Sequence, residues 1–150
     1  MTERRVRYAS RILLFDGSGR ALLFLDEFPD LPGQGKWITP GGGVEAGEGA
    51  HDAAVRELYE ETGLLVPDLG PIVHTVEFEV HRAAARHTHS HWDFFVHRVA
   101  EPFEPAREHW TPEEHRTVQR IAWWTPEETA GLAEGVAPTD LAELLARFAS

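Results

Sequence analysis

The sequence predicts an α/β domain built on a mixed β-sheet with helices over both faces. Three observations carry this prediction: short apolar runs bounded by Gly and Pro turn signals, one strong helical segment near the middle, and an amphipathic segment at the C-terminus. Strands interspersed with helices give a sheet that is covered on both sides. The 150 residues read as one domain spanning 1–150, with no linker and no low-complexity segment.

Tyr8 to Phe15 and Ala21 to Phe28 are apolar runs flanking Asp16-Gly17-Ser18-Gly19, which predicts a β-hairpin. Pro29 to Gly35 reads as a loop. Trp37 to Thr39 is a short strand stopped by Pro40, and Gly41, Gly42 and Gly43 read as a turn whose backbone lets a ligand approach closely. Ala50 to Thr62, rich in Ala, Leu and Glu, predicts a helix capped by Gly63. Val55, Leu58 and Thr62 mark its core face, while Ala50, Ala53 and Ala54 share the glutamate face and leave it uncluttered. Strands are expected at Ile72–His81, Trp92–Ala100 and Val118–Trp124. Thr111-Pro112-Glu113-Glu114 and Thr125-Pro126-Glu127-Glu128 each carry a capping box with proline at the first helical position. A closing helix, Asp140 to Phe148, sets Leu141, Leu144, Leu145 and Phe148 at helical spacing.

Composition narrows the function classes. Cysteine is absent, which excludes disulfide scaffolds, thiolate metal sites and cysteine nucleophiles. The stretch from Met1 to Arg11 is too basic and too broken by polar residues for a signal peptide, and no run approaches the roughly 20 apolar residues of a membrane span. A cytoplasmic protein without a membrane partner is expected. The net charge of −11 repels duplex nucleic acid and leaves small anionic substrates in play, given metal ions or local arginines.

The chemistry concentrates in Arg56-Glu57-Leu58-Tyr59-Glu60-Glu61-Thr62-Gly63. Helix positions three and four apart share a face, so Glu57, Glu60 and Glu61 point the same way and repel by a few tenths of a kcal/mol per pair. Arg56, four residues before Glu60, reads as able to pair with only one of them. Such a cluster is either a tolerated solvated face or a site for a hard divalent cation, and oxygen-only ligands favour magnesium or manganese over zinc.

From Gly42 to Leu64 the chain reads Gly, five residues, Glu48, seven residues, Arg56-Glu57-Leu58, one residue, Glu60-Glu61, one residue, Gly63-Leu64. This resembles the Nudix box with every defined position filled, a match expected by chance on the order of once in a billion windows. The resemblance is specific over Trp37–Leu64. It implies an α/β/α sandwich with a central mixed sheet and the box as a loop–helix–loop. It implies a metal-dependent hydrolase that cleaves a diphosphate linkage in a small nucleoside diphosphate-type substrate by water attack at phosphorus. By the same resemblance Glu57, Glu60 and Glu61 ligate Mg²⁺ or Mn²⁺ with the Gly41 carbonyl, Arg56 orients the carboxylates, and Glu48 joins the shell more loosely. The general base is sought among Glu113, Glu114 and His115, with Glu114 also placed to close a capping box. A homodimer is compatible with the resemblance.

Two rivals remain. Isopentenyl diphosphate isomerase resembles this fold but needs a cysteine that is absent here. A non-catalytic ligand-binding or regulatory module on the Nudix fold is the alternative, although such modules have usually lost box glutamates. Glu77 to Arg82 carries neither the proline of many ADP-ribose hydrolases nor the tyrosine of diadenosine polyphosphate hydrolases. His87, His89 and His91 read as a polar hairpin tip dispensable for activity. Trp37, Phe28, Phe94 and Trp110 are weak stacking candidates, Trp123 and Trp124 read as core and sheet surface, and Arg7 and Arg11 are candidate phosphate contacts.

Overall fold

Ile12–Phe15 and Ala21–Leu25 are continuous apolar runs because both faces of the sheet are covered there. The computed structural model describes residues 3–82 and 85–150; Met1 and Thr2, where the basic N-terminal stretch begins, lie outside it. Among the described residues it contains β1 (Val6–Phe15), β2 (Ala21–Asp26), β3 (Lys36–Ile38), β4 (Gly41–Gly43), α1 (Ala50–Thr62), β5 (His74–Glu79), β6 (His89–Arg98), α2 (Pro112–Thr117), β7 (Val118–Trp124), α3 (Pro126–Ala130) and α4 (Leu141–Phe148). The sheet runs β3-β2-β1-β6-β5, with β4 added to β1 and β7 to β2. β1 and β6 are parallel over ten residue pairs from Val6↔His89 to Phe15↔Arg98, and the other pairings are antiparallel.

Alternation along β1 and β2 sorts the core into two layers. Leu13, Phe15, Leu23 and Trp37 face Leu141, Leu144 and Leu145 of α4, and all seven are at most 2% exposed. Ile12, Leu14, Leu22 and Phe24 face Ala54 and Leu58 of α1 on the other side. The expected α/β/α sandwich is therefore present. Ala53 and Ala54 are buried rather than open beside the glutamates. Trp37 and Phe94 belong to the core and offer no stacking surface.

The predicted hairpin forms only at its base. Phe15 pairs with Ala21, after which the strands part: β1 takes β4 as its neighbour and β2 takes β3. The divergence opens the sheet beside Arg11 and Asp26, and this opening becomes the cleft. Three glycines can run as β4 because no Cβ intervenes; one added at Gly41, where φ is +146°, would stand 2.2 Å from the Ser10 carbonyl oxygen. They form a strand rather than the expected turn.

The turn itself is locked by Asp16, which is 4% exposed. Its carboxylate accepts from the Ser18 and Arg20 backbone N–H groups at 2.9 Å, from Ser18 Oγ at 2.9 Å and from Arg20 Nε at 2.8 Å. Burial pushes this carboxyl up, and the hydrogen bonds together outweigh burial and hold it below its ordinary value. Asp16→Ala is expected to destabilise the fold by about 2 kcal/mol at neutral pH, because several donors lose their acceptor. The folded carboxyl titrates below the unfolded one, so its contribution is complete above the unfolded value and is lost as pH falls through the folded value. Thermal melts of wild type and variant should therefore converge in acid; a gap that persists there contradicts this account.

Candidate active site

Helix α1 begins at Gly49 without a side-chain cap and ends at Gly63, whose φ of 84° lets its N–H return to the Tyr59 carbonyl. Leu58 and Thr62 are buried and fix the helix on the sheet, so Glu57 and Glu61 turn toward β4 while Glu60 stays nearer solvent. The Gly41 N–H donates to Glu61 Oε2 at 2.9 Å. A Cβ at Gly42 would stand 2.5 Å from the Glu57 carboxyl carbon, so glycine there makes the cradle that holds this carboxylate.

Arg56 ties the acidic residues together. Nε and Nη2 grip Glu48 bidentately at 2.8 and 2.9 Å, Nη1 donates to Glu57 at 2.9 Å and to Glu60 at 3.1 Å, and Nη2 also reaches the Gly43 carbonyl at 2.9 Å. The expectation that it could pair with only one box glutamate is corrected, because the guanidinium fork meets acceptors arriving from both the helix and the preceding loop. Glu48, gripped in this way and also accepting from the Glu45 N–H, is held below its ordinary carboxyl value by Arg56. Glu57 and Glu61 behave in the opposite way. Desolvation raises both Glu57 and Glu61, and for Glu61 it outweighs the Gly41 hydrogen bond and the charge of Arg11.

Arg56, Glu57, Glu60 and Glu61 line a cleft of about 970 Å³, ample for a nucleotide-sized ligand. Arg11 lies within it, 7% exposed, stacked 4.5 Å from the Trp92 ring centroid and donating to the Thr39 carbonyl at 3.0 Å. Four buried polar atoms without a partner belong to cleft-lining residues: Arg11 Nε, Asp26 Oδ1, Thr39 Oγ1 and Trp92 Nε1. Buried polar groups are normally satisfied, so these exceptions leave unmet hydrogen-bonding capacity in residues that line the cleft. Asp26, its carboxyl raised by burial, was not anticipated from the sequence, although a lone acid closing the apolar run of β2 is a readable signal.

Trp110 brings α2 to the site. Its Nε1 donates to the Glu61 carbonyl at 2.9 Å, and its ring packs edge-on to Phe24 at 5.9 Å. Glu113 and Glu114 thereby line the cleft facing the box. Glu114 closes the capping box as expected: the Thr111 N–H donates to Oε1 at 3.0 Å, and the Glu114 N–H donates to Thr111 Oγ1 at 3.1 Å.

The histidine tract does not form a single tip. β6 begins at His89, three residues before the expected start, because pairing with both β1 and β5 extends it. His89 and His91 thus lie in the strand, where His91 sits between Glu77 at 2.9 Å and Asp93 at 3.1 Å. His87 lies before the strand and lines the cleft. Opposite it, Arg82 grips Asp30 bidentately and stacks 4.0 Å from the Phe28 ring centroid, joining the two loops at the cleft mouth.

A divalent cation can be tested against this donor set. The donors are carboxylate oxygens, the type a hard cation takes, and two of them are desolvated against a glycine strand that leaves no room for a side chain. As they stand, no three acidic or histidine side chains among the described residues converge closely enough to grip an ion, because Arg56 Nη1 lies between Glu57 and Glu60. The chemistry of the donors suits the cation, and Arg56 would have to yield one of those contacts for them to converge on it.

The NUDIX domain model matches residues 5–148. An RNA pyrophosphohydrolase of Dinoroseobacter shibae is 39% identical over 67 residues, covering 45% of this chain and 40% of that protein. The aligned regions span less than half the length of the curated relatives. Among solved structures, the E. coli dihydroneopterin triphosphate pyrophosphohydrolase superposes with a TM-score of 0.73 at 20% identity, covering 99% of this chain and 98% of that one. A MutT protein from Methanosarcina mazei gives 0.72 at 21% identity, covering 99% and 96%. At such identities the likeness carries the fold alone. With the domain model running through nearly the whole chain, the protein belongs to the Nudix family.

Proposed function

We propose that this chain is a hydrolase that uses Mg²⁺ or Mn²⁺ to cleave a diphosphate linkage in a small nucleoside diphosphate-type substrate, by water attack at phosphorus. One observation carries the reading: Glu57 and Glu60, tied together by Arg56, and Glu61, held by the Gly41 N–H, stand in a nucleotide-sized cleft against a strand of glycines. The pyrophosphohydrolase name of the Dinoroseobacter shibae relative points the same way.

When bound, the cation neutralises developing charge on the phosphates and lowers the pKa of the attacking water. Glu57, Glu60 and Glu61 would hold it, with the Gly41 carbonyl close by. The chain's own residues do the rest by positioning and electrostatics. The Gly41 N–H fixes the Glu61 rotamer, Arg56 holds Glu48, Glu57 and Glu60 in register, and Arg11 adds positive charge to the cleft wall beside the box. Glu113 or Glu114, which line the cleft, would accept the proton of the water.

The test is a panel assay over nucleoside triphosphates, ADP-ribose, nucleotide sugars and dinucleoside polyphosphates, with each metal in turn. Metal-dependent release from at least one class is expected, and chelation should abolish it. A full panel without turnover would leave the non-catalytic module as the reading.

A further inference from the structure

The structure leaves one cleft residue of high charge without a task. Arg7, Ala9 and Arg11 share a face of β1, since side chains alternate along a strand. Arg7 and Arg11 both line the cleft, and each charge opposes the other. Arg11 lies beside the box and responds to the charges of Glu61 and Glu57. Arg7 lies farther along. A Cβ at Gly43 would come within 3.1 Å of Arg7 Nη2. The three glycines of β4 therefore have Glu61, Glu57 and Arg7 as successive neighbours. Gly41 and Gly43 are about 7 Å apart at strand spacing, so a chain of phosphates following β4 leaves the glutamates and meets Arg7.

His87 borders the same end, with Ser90 Oγ 3.4 Å from its Nε2. Desolvation, with the charges of Arg7, Arg82 and Arg5, lowers its pKa and leaves a neutral ring that can donate one N–H. Its other cationic neighbours are already engaged: Arg82 with Asp30, and Arg5 with the Arg86 carbonyl at 2.6 Å. Among the described residues Arg7 makes no ion pair. In a chain of net charge −11, a cleft-lining arginine without a counter-charge beside a neutral N–H donor is explained by an anion that the chain does not supply.

We propose that Arg7 and His87 form a second anion subsite, which takes a phosphate beyond the scissile diphosphate and makes the chain select nucleoside triphosphates or longer polyphosphates over sugar-capped diphosphates. The proposal rests on the diphosphate hydrolase reading above, and its tests separate the two. In the first test, the intact metal-free chain is titrated calorimetrically with inorganic tripolyphosphate and with pyrophosphate. Tripolyphosphate should bind about ten-fold more tightly, a difference of about 1.4 kcal/mol. Arg7→Ala should remove most of that difference, and His87→Gln part of it. Arg147→Ala, which deletes the same charge from α4 beside Phe148, controls for net charge and should keep the difference. Equal affinities in the wild type, or an Arg7→Ala effect no larger than that of Arg147→Ala, would overturn the subsite.

In the second test, kcat/KM for a nucleoside triphosphate is compared with that for a nucleotide sugar. Arg7→Ala should lower the ratio about ten-fold through the triphosphate KM, as expected for lost ground-state binding. A ratio unchanged by Arg7→Ala counts against the subsite. If the wild type cleaves no member of the substrate panel, the hydrolase reading fails, while the titration still decides the subsite.

Discussion

Glu61→Gln and Glu57→Gln are each expected to lose about 100-fold or more of turnover while the fold survives. Residues that merely support a metal ligand are worth about 10–100-fold, so a ligand itself should set the loss at the upper end or beyond. The stability side follows from the geometry. Glutamine keeps the oxygen that accepts the Gly41 N–H, so the tie between α1 and β4 persists in Glu61→Gln. Both carboxyls are raised by desolvation, which means that ionised they are held in a place that disfavours charge. Removing one such charge should leave the metal-free melting temperature unchanged or raise it. The pair of measurements is diagnostic, because a residue needed only for structure would lose stability and activity together. Wild-type turnover by either variant with saturating magnesium would remove that residue from the metal site.

Much of this site was legible in the sequence because its parts are local. The glutamate spacing, the Gly63 cap and the two capping boxes are each set within one helical turn, and α1 runs over the expected residues. What escaped depends on pairing across distance. β5 stops at Glu79 and β6 starts at His89, where the ladder they share begins and ends, and neither limit is written in hydrophobicity. The same pairing separates His87 from His89 and His91. The three glycines are indistinguishable from a turn until β1 arrives beside them. Arg11 shows the limit most clearly. Its position inside an apolar run marks it as unusual, but only the divergence of β1 from β2 turns it into a cleft. Asp26 is the same case on the partner strand.

The remaining prediction with a large effect concerns the general base. Glu114 has two duties open to it, and the structure divides them between its oxygens. Oε1 accepts the Thr111 N–H at 3.0 Å and completes the cap of α2, while no partner among the described residues engages Oε2. Trp110, hydrogen-bonded to the Glu61 carbonyl, holds this helix against the box, and the charge of Glu114 acts on both Glu57 and Glu61. Glu113 also lines the cleft and has no capping duty, which makes it the matched control. Glutamine preserves the capping hydrogen bond but cannot take up a proton. Glu114→Gln is therefore expected to melt like the wild type and to lose roughly 10²–10⁴-fold in turnover, the usual worth of a general base. Glu113→Gln should change turnover much less. If the two effects are exchanged, Glu113 is the base and Glu114 only a cap. Normal turnover in both variants would move the proton acceptor into the box, to Glu61 or to Glu48 once Arg56 releases it.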